Sequence, residues 1–293
     1  MNTGKKLVSV LLALALLCTL AVLPAQAVYG AGTKFVVLGD SIPKGEGATE
    51  DEQGYVGYAR LIAEDKGFEL KNHAVGGHKS TDLLALLENN TNSIRGDIGA
   101  ADIIVLNIGG NNLLGSNVIT LVLRAVFLKD SSTVDPYIAD FAEDFADIVG
   151  QIKTLNPSAK FIVQTLYNCM EGIPLVGDAY EMAVTKLNAV YVDYLDANPD
   201  TYEIADIYSA YKSYDGLVFR DRLHPSDAGH ARIAEVLTAM IDGAPLDLTY
   251  ELGCKPNFFK QICIFFAAAY DYISYWLSRM SLLELIGKAF SFM

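Results

Sequence analysis

Residues 103–112 read Ile103-Ile104-Val105-Leu106-Asn107-Ile108-Gly109-Gly110-Asn111-Asn112, and this stretch decides the fold class. Its apolar run has no in–out alternation, so a strand formed here is covered on both faces, as in a parallel sheet flanked by helices. The Gly-Gly-Asn-Asn that follows is turn chemistry at the carboxyl end of that strand. Runs of similar character occur at residues 35–38, 69–75, 161–166 and 202–206. Between them, the spacing of apolar residues predicts helices over 55–66, 81–90, 138–155, 179–197 and 226–242, the last with Ser226 as N-cap and Gly243 as stop. Strand and helix in strict rotation give an α/β fold: a three-layer α/β/α sandwich around a central five-stranded parallel sheet, flavodoxin-like in class.

Outside that rhythm the chain has three distinctive parts. Residues 1–27 read as a signal peptide: Lys5 and Lys6 precede an apolar run from Leu7 to Leu23, Pro24 breaks it, and Ala25-Gln26-Ala27 is a small-residue cleavage site. Export follows from that reading, as a secreted protein when the segment is cut and a membrane-tethered one when it is not. Residues 113–137 form an apolar excursion after the third strand, long enough to roof a site at the strand ends or to add a core helix. Residues 244–293 form a tail with Phe258, Phe259, Ile262, Phe265, Phe266, Ile273, Trp276 and Leu277 at roughly helical spacing. Core packing, dimerisation and peripheral membrane contact all suit such a tail.

The 293 residues carry 22 Lys and Arg against 35 Asp and Glu, a net charge of −13. Without a basic stripe, nucleic acid is excluded as a partner. A hydrophobic share of 52% excludes a disordered chain. Four cysteines are too few for a disulfide scaffold; Cys254 and Cys263 are close enough in sequence for a local bridge, and Cys169 reads as a small buried hydrophobe. The chain contains no Gly-x-Ser-x-Gly elbow, His-Glu-x-x-His or Cys-x-x-Cys motif, so neither an ordinary α/β-hydrolase nor a zinc site has support. Seven tyrosines between Tyr180 and Tyr214 invite a sugar-stacking reading, although packing accounts for most of them.

Chemistry-bearing residues collect at the strand ends. The first strand is followed by Gly39-Asp40-Ser41, the second by Gly76-Gly77-His78, and the third by Gly109-Gly110-Asn111-Asn112. Asp221-Arg222-Leu223-His224-Pro225-Ser226 precedes the last helix. An α/β sheet gathers such loops at one edge. A serine nucleophile needs a histidine to take its proton, a carboxylate to orient that histidine, and N–H donors for the oxyanion. Ser41, His224 and Asp221 supply the first three. The backbone N–H groups of Ser41 and Gly77 and the side-chain amide of Asn111 supply the donors. Pro225 keeps His224 extended on its loop. His73 and His230 read as structural, and His78 as a solvated loop residue.

In combination, the blocks FVVLGDSI, NHAVGGHKS, LNIGGNN and DRLHPSDAGH resemble those of the SGNH (GDSL) hydrolase superfamily, in its order and near its spacing, over residues 33–243. The resemblance implies a serine esterase or lipase that needs no metal and no cofactor. Ser41, Asp221 and His224 would be catalytic, with Ser41, Gly77 and Asn111 around the oxyanion. Its substrates would be small-molecule, lipid or polysaccharide esters, including an O-acetyl esterase variant. A surface binding module that has lost catalysis is the rival class, and the joint presence of all five residues argues against it. In one respect the chain departs from the pattern: the family places Asp after the block-three Asn, and this chain has Asn112.

Overall fold

The structure is a computed structural model that describes residues 29–114, 132–174, 176–212 and 216–245, together with residues 267, 270, 274 and 275. The signal segment, most of the 113–137 excursion, Cys254, Cys263 and nearly all of the tail lie outside the described residues.

Strands β1 (Lys34–Gly39), β4 (Glu69–Asn72), β5 (Ile103–Asn107), β6 (Lys160–Gln164) and β7 (Glu203–Ala205) form the central sheet in the order β4-β1-β5-β6-β7, every neighbouring pair parallel. β2 (Glu50–Asp51) and β3 (Gly54–Tyr55) make a separate small antiparallel hairpin. All five residues of β5 are buried, as are the last five of β1. From β1 the chain goes first to one side, forming β4, and then crosses to the other, forming β5. Loops therefore leave β1 and β5 in opposite directions at their carboxyl ends, which opens a crevice there.

The helices fall into two groups. α2 (Tyr58–Lys66) and α8 (Ile207–Tyr211) each pack on α9 (Asp227–Asp242), and α3 (Ser80–Glu88), α4 (Ile94–Ala100) and α7 (Val176–Ala197) each pack on α6 (Asp135–Leu155) in the second group. The long α6 buries Phe141, Phe145, Ile148, Val149 and Ile152, a spacing of three and four residues that keeps one stripe against the core. Phe145 meets the ring edges or faces of Tyr191, Tyr194 and Tyr202, with centroids 5.1, 5.6 and 5.9 Å away. The hydroxyl of Tyr191 donates to the Ile108 carbonyl at 2.6 Å, so the polar ends of these rings are satisfied where they are buried. Tyr180, Tyr191, Tyr202 and Tyr211 are all buried. Packing, not an exposed stacking platform, explains them.

Several short elements depart from the sequence pattern: the helix expected from 55 begins at Tyr58, because Tyr55 pairs in β3, and α8 was not expected. The second sheet strand ends at Asn72 instead of 75: Asn72 Oδ1 accepts from Ala74 N at 3.0 Å, and its Nδ2 donates to the Pro43 carbonyl at 2.8 Å, which peels the chain off the sheet in an Asx-type turn. α4 contains Gly96 and Gly99, so it lacks propensity of its own and is held by burial of Ile94 and Ile98. No helix among the described residues is long and apolar enough to cross a membrane.

Candidate active site

β1 ends in Gly39, at φ +136°, where an added Cβ would lie 1.8 Å from the Asn107 carbonyl oxygen. Only glycine lets the ends of β1 and β5 approach this closely. The chain then turns into α1 (Ser41–Lys44), a single helical turn capped by Asp40, whose Oδ1 accepts from Ile42 N at 3.1 Å. Ser41 thus opens a helix immediately beyond β1. Asp40 itself is buried, and burial pushes its carboxyl up to about 7, against the lowering effects of the Ile42 N–H and of His224.

His224 arrives from the far end of the chain on a loop tied by Phe219 N to the His224 carbonyl at 2.8 Å and by Ser226 N to the Leu217 carbonyl at 2.7 Å. Gly47 makes room for it: a side chain there would meet the Pro225 carbonyl oxygen at 2.2 Å and His224 Cβ at 2.8 Å. The ring of His224 joins two oxygens. Nδ1 lies 2.5 Å from Asp221 Oδ2, and Nε2 lies 2.8 Å from Ser41 Oγ. A carboxylate only accepts, so Nδ1 carries the proton and Nε2 presents its lone pair to the Ser41 hydroxyl. Burial alone would raise the Asp221 carboxyl; the bonds from the His224 ring and from two backbone N–H groups hold it below the ordinary value instead. Ser41, His224 and Asp221 are 8%, 7% and 1% exposed, which shields the relay while leaving Ser41 at the edge of a cavity.

Asn111 lies in α5 (Gly110–Leu113), the turn after β5, and lines that cavity together with Ser41. One hydrogen of its amide goes to the His78 carbonyl, 2.9 Å away, and the second remains available. Gly77 is exposed at φ +81° in the turn closed by His78 N on the Val75 carbonyl, so the Gly77 loop and Asn111 are joined through His78. The structure thus gathers Ser41, Asp221, His224 and Asn111 at one sheet edge, with Gly77 on the adjoining loop.

Asn112 does not leave its loop unbraced. Its Nδ2 donates to Ser80 Oγ at 2.7 Å, its Oδ1 accepts from Ser80 N at 3.1 Å, and Ser80 Oγ donates to Asp144 Oδ2 at 2.5 Å. Asp144, on α6, thus backs Asn112 through Ser80.

Two further residues stand near the relay, Glu46, which the sequence reading did not single out, and His230, which it read as structural. Glu46 folds back over Ser41, its N–H donating to the Ser41 carbonyl at 3.0 Å, and sets Oε2 3.6 Å from His224 Nε2. His230, fully buried, accepts from Tyr58 N on Nδ1 and donates from Nε2 to the Glu46 carbonyl at 3.1 Å. Burial pushes its imidazole down to about 4, so it is a neutral strut. His73 is likewise structural, paired with Asp97 at 2.8 Å. Residue type alone offered no signal for Glu46; its position depends on the single turn Ser41–Lys44.

Among the described residues no group of three or more His, Cys, Asp or Glu side chains is placed to hold a metal ion. The roomier surface groove, about 610 Å³ around Lys153, Lys160, Asp196 and Glu203, lies at the amino ends of β6 and β7, away from this chemistry.

A model of the GDSL-like lipase/acylhydrolase family matches residues 37–232. YpmR, a protein of Bacillus subtilis (strain 168), is 29% identical over 214 residues, covering 68% of this chain and 77% of its own. Among solved structures, a lipase from a goat rumen metagenome superposes with a TM-score of 0.56 at 24% identity, over 71% of this chain and 96% of that one. Phospholipase A1 from Streptomyces albidoflavus NA297 gives 0.54 at 20% identity, over 71% and 99%. At such identities the two structures share the fold of this chain: a five-stranded parallel sheet between helical layers.

Proposed function

Because the chain belongs to the GDSL-like lipase/acylhydrolase family, we propose that it is a serine esterase that hydrolyses carboxylic esters through an acyl-enzyme on Ser41. The observation that carries this reading is the unbroken hydrogen-bond relay from Asp221 through His224 to Ser41. In the first half-reaction Ser41 Oγ attacks the ester carbonyl carbon while its proton passes to His224 Nε2. Asp221 stabilises the imidazolium and keeps the ring oriented. The carbonyl oxygen becomes negative and takes hydrogen bonds from the N–H groups of Ser41 and Gly77 and from the second amide hydrogen of Asn111. Collapse breaks the bond to the alcohol oxygen, which takes the proton from His224 and leaves. Water then repeats the sequence on the acyl-enzyme, releasing the carboxylic acid and restoring the Ser41 hydroxyl. Each proton and electron pair is accounted for by these side chains and water, so the route calls on no metal and no cofactor.

Export through residues 1–27 belongs to the same proposal, supported by the charged start, apolar run and Ala-Gln-Ala site. The apolar tail from 244 onward is proposed as a peripheral membrane contact. The central claim is tested with p-nitrophenyl esters and a fluorophosphonate probe. Wild-type protein should turn over the ester and gain one phosphonyl group on the Ser41 peptide. Ser41→Ala should lose both while keeping its thermal unfolding profile. Full turnover by Ser41→Ala would overturn the proposal.

A further inference from the structure

The two sides of Ser41 differ in size and in charge, and the difference bears on the substrate. On one side lies a cavity of about 30 Å³, with Ser41 and Asn111 at its rim and Ile42, Leu166, Tyr167, Cys169, Tyr180 and Leu223 around it. Two of its lining groups are themselves buried: Cys169 and Tyr180 are 5% and 7% exposed, and burial pushes the Cys169 thiol up to about 12, so it stays protonated. A substrate carbonyl carbon at Ser41 Oγ, with its oxygen toward Asn111, directs the acyl carbons into this space. Such a volume seats about two water-sized guests, the size of a methyl or ethyl group, and a longer acyl chain would have to run out through the open mouth into solvent, gaining no further burial.

The alcohol lies on the other side. His224 Nε2 must hand its proton to the leaving oxygen, so the alcohol has to pass beside that nitrogen. Glu46 Oε2 stands 3.6 Å from it. Glu46 Oε1 is held by Lys44 Nζ at 2.9 Å and lies against the backbone of Gly76, where a side chain would meet it at 2.2 Å. The pair remains open to solvent, with side chains 44% (Lys44) and 25% (Glu46) exposed. A carboxylate here accepts from a hydroxyl on a carbon next to the ester oxygen, and the ammonium donates to a further oxygen. A hydrocarbon alcohol satisfies neither and would strip water from both charges. An anionic alcohol is repelled by Glu46 and by a chain of net charge −13.

We infer that this site takes short-acyl esters, acetyl in size, of neutral polyhydroxy alcohols, with the acyl group in the cavity beside Ser41 and a neighbouring hydroxyl read by Glu46. The inference rests on the ester-hydrolase reading above, and its test separates the two. With the full chain, kcat/KM is measured on p-nitrophenyl acetate, hexanoate and octanoate, and on glycerol monoacetate against ethyl acetate. Acetate should exceed octanoate by about tenfold or more, and Leu166→Ala, which enlarges the cavity, should narrow that gap. Glycerol monoacetate should exceed ethyl acetate by about tenfold, the worth of one hydrogen bond to a charged group. Glu46→Ala should remove most of that preference, and Glu46→Asp should restore part of it. Equal or rising rates toward octanoate would overturn the acyl assignment while leaving the esterase reading intact. Absence of a wild-type preference between the two alcohols would overturn the Glu46 assignment without any variant, and so would a Glu46→Ala loss equal on both. Failure to hydrolyse any ester would sink the esterase reading instead.

Discussion

Asp221 accepts two hydrogen bonds from His224, one from the ring Nδ1–H on Oδ2 at 2.5 Å and one from the backbone N–H on Oδ1 at 3.0 Å. A single carboxylate therefore fixes both the loop and the ring it carries. The first prediction follows from that split. In Asp221→Asn the amide oxygen can keep the backbone bond, whereas an amide N–H facing Nδ1 forces the proton onto Nε2, where it can no longer accept from Ser41. The fold should survive and kcat should fall by about four orders of magnitude, as in the corresponding serine-protease variant. A loss below tenfold, measured on p-nitrophenyl acetate with unchanged circular dichroism, would show that ring orientation does not depend on Asp221.

Asn111 gives a kinetic prediction of a different shape. One of its amide hydrogens holds the His78 carbonyl, and the other is assigned to the oxyanion, which exists only beyond the ground state. Asn111→Ala should lower kcat by about 10²–10³ and leave KM nearly unchanged. A rise in KM at constant kcat would make Asn111 a substrate-positioning residue instead.

The brace behind that loop is testable through Ser80. Its hydroxyl sits between Asn112 Nδ2 and Asp144 Oδ2 and is wholly buried. Ser80→Ala removes both bonds and leaves two polar partners unmatched, so the variant should lose about 1–3 kcal/mol of stability in urea unfolding. Loss of activity without loss of stability would place Ser80 in the chemistry and not in the scaffold.

These three residues also show what the sequence can and cannot reveal. Ser41, Asn111, Asp221 and His224 were legible because each follows an apolar run or precedes a capped helix, and a parallel sheet delivers all such ends to one edge. β1, β5 and β6 were legible from their continuous apolar runs, whereas the edge strands β4 (Glu-Leu-Lys-Asn) and β7 (Glu-Ile-Ala) were legible only from their place in the strand–helix rotation. Ser80 and Asp144 were not, because a serine opening one helix and an aspartate midway along another meet only after α3 and α6 pack. Glu46 was hidden by a turn of four residues, too short to leave a period. The hairpin of β2 and β3, two residues in each strand, was hidden likewise. α7 begins at Val176, three residues ahead of the sequence pattern, because Gly177 and Ala179 are buried without being strongly apolar.

Two buried groups set a prediction for stability against pH. Asp40 is raised to about 7 by burial, so the folded chain binds a proton that the unfolded chain releases near 3.8. Its stabilising contribution is complete below that value and is lost as pH rises through about 7. His230 is lowered to about 4 by burial from an unfolded value of 6.5, so its contribution is complete above 6.5 and is lost as pH falls through about 4. Between roughly pH 4 and 6.5 the two oppose each other, each at about 1.4 kcal/mol per pH unit. Asp40→Asn keeps the cap to Ile42 N and removes one side of this balance. Its stability relative to wild type should therefore rise from pH 4.5 to about 7, by a few kcal/mol in all, and level off above that. A difference that stays constant across urea titrations in that range would show that Asp40 does not titrate there.

The last prediction concerns the tail. Tyr275 sets its ring edge-on to Phe219, with centroids 5.5 Å apart and planes at 85°, and Phe219 N–H donates to the His224 carbonyl. The tail thus touches the loop that carries the relay. That loop is held independently by the Asp221 bonds to Leu223 and His224, by Ser226 N on the Leu217 carbonyl, and by the bridge between Val218 and Pro225. One aromatic pair adds about 0.5–1.5 kcal/mol, less than the sum of those local ties. A chain ending at Pro245 should therefore fold and hydrolyse p-nitrophenyl acetate within about threefold of the full chain, with Tyr275→Ala showing the same small effect. What truncation should abolish is co-sedimentation with neutral phosphatidylcholine vesicles, since Phe and Trp groups bind such surfaces by burying about 25 cal/mol per Å² and a negatively charged chain gains nothing from the headgroups. Equal sedimentation of both forms would end the membrane proposal. An inactive but folded truncated chain would instead make the Phe219–Tyr275 contact a requirement for holding His224 in place.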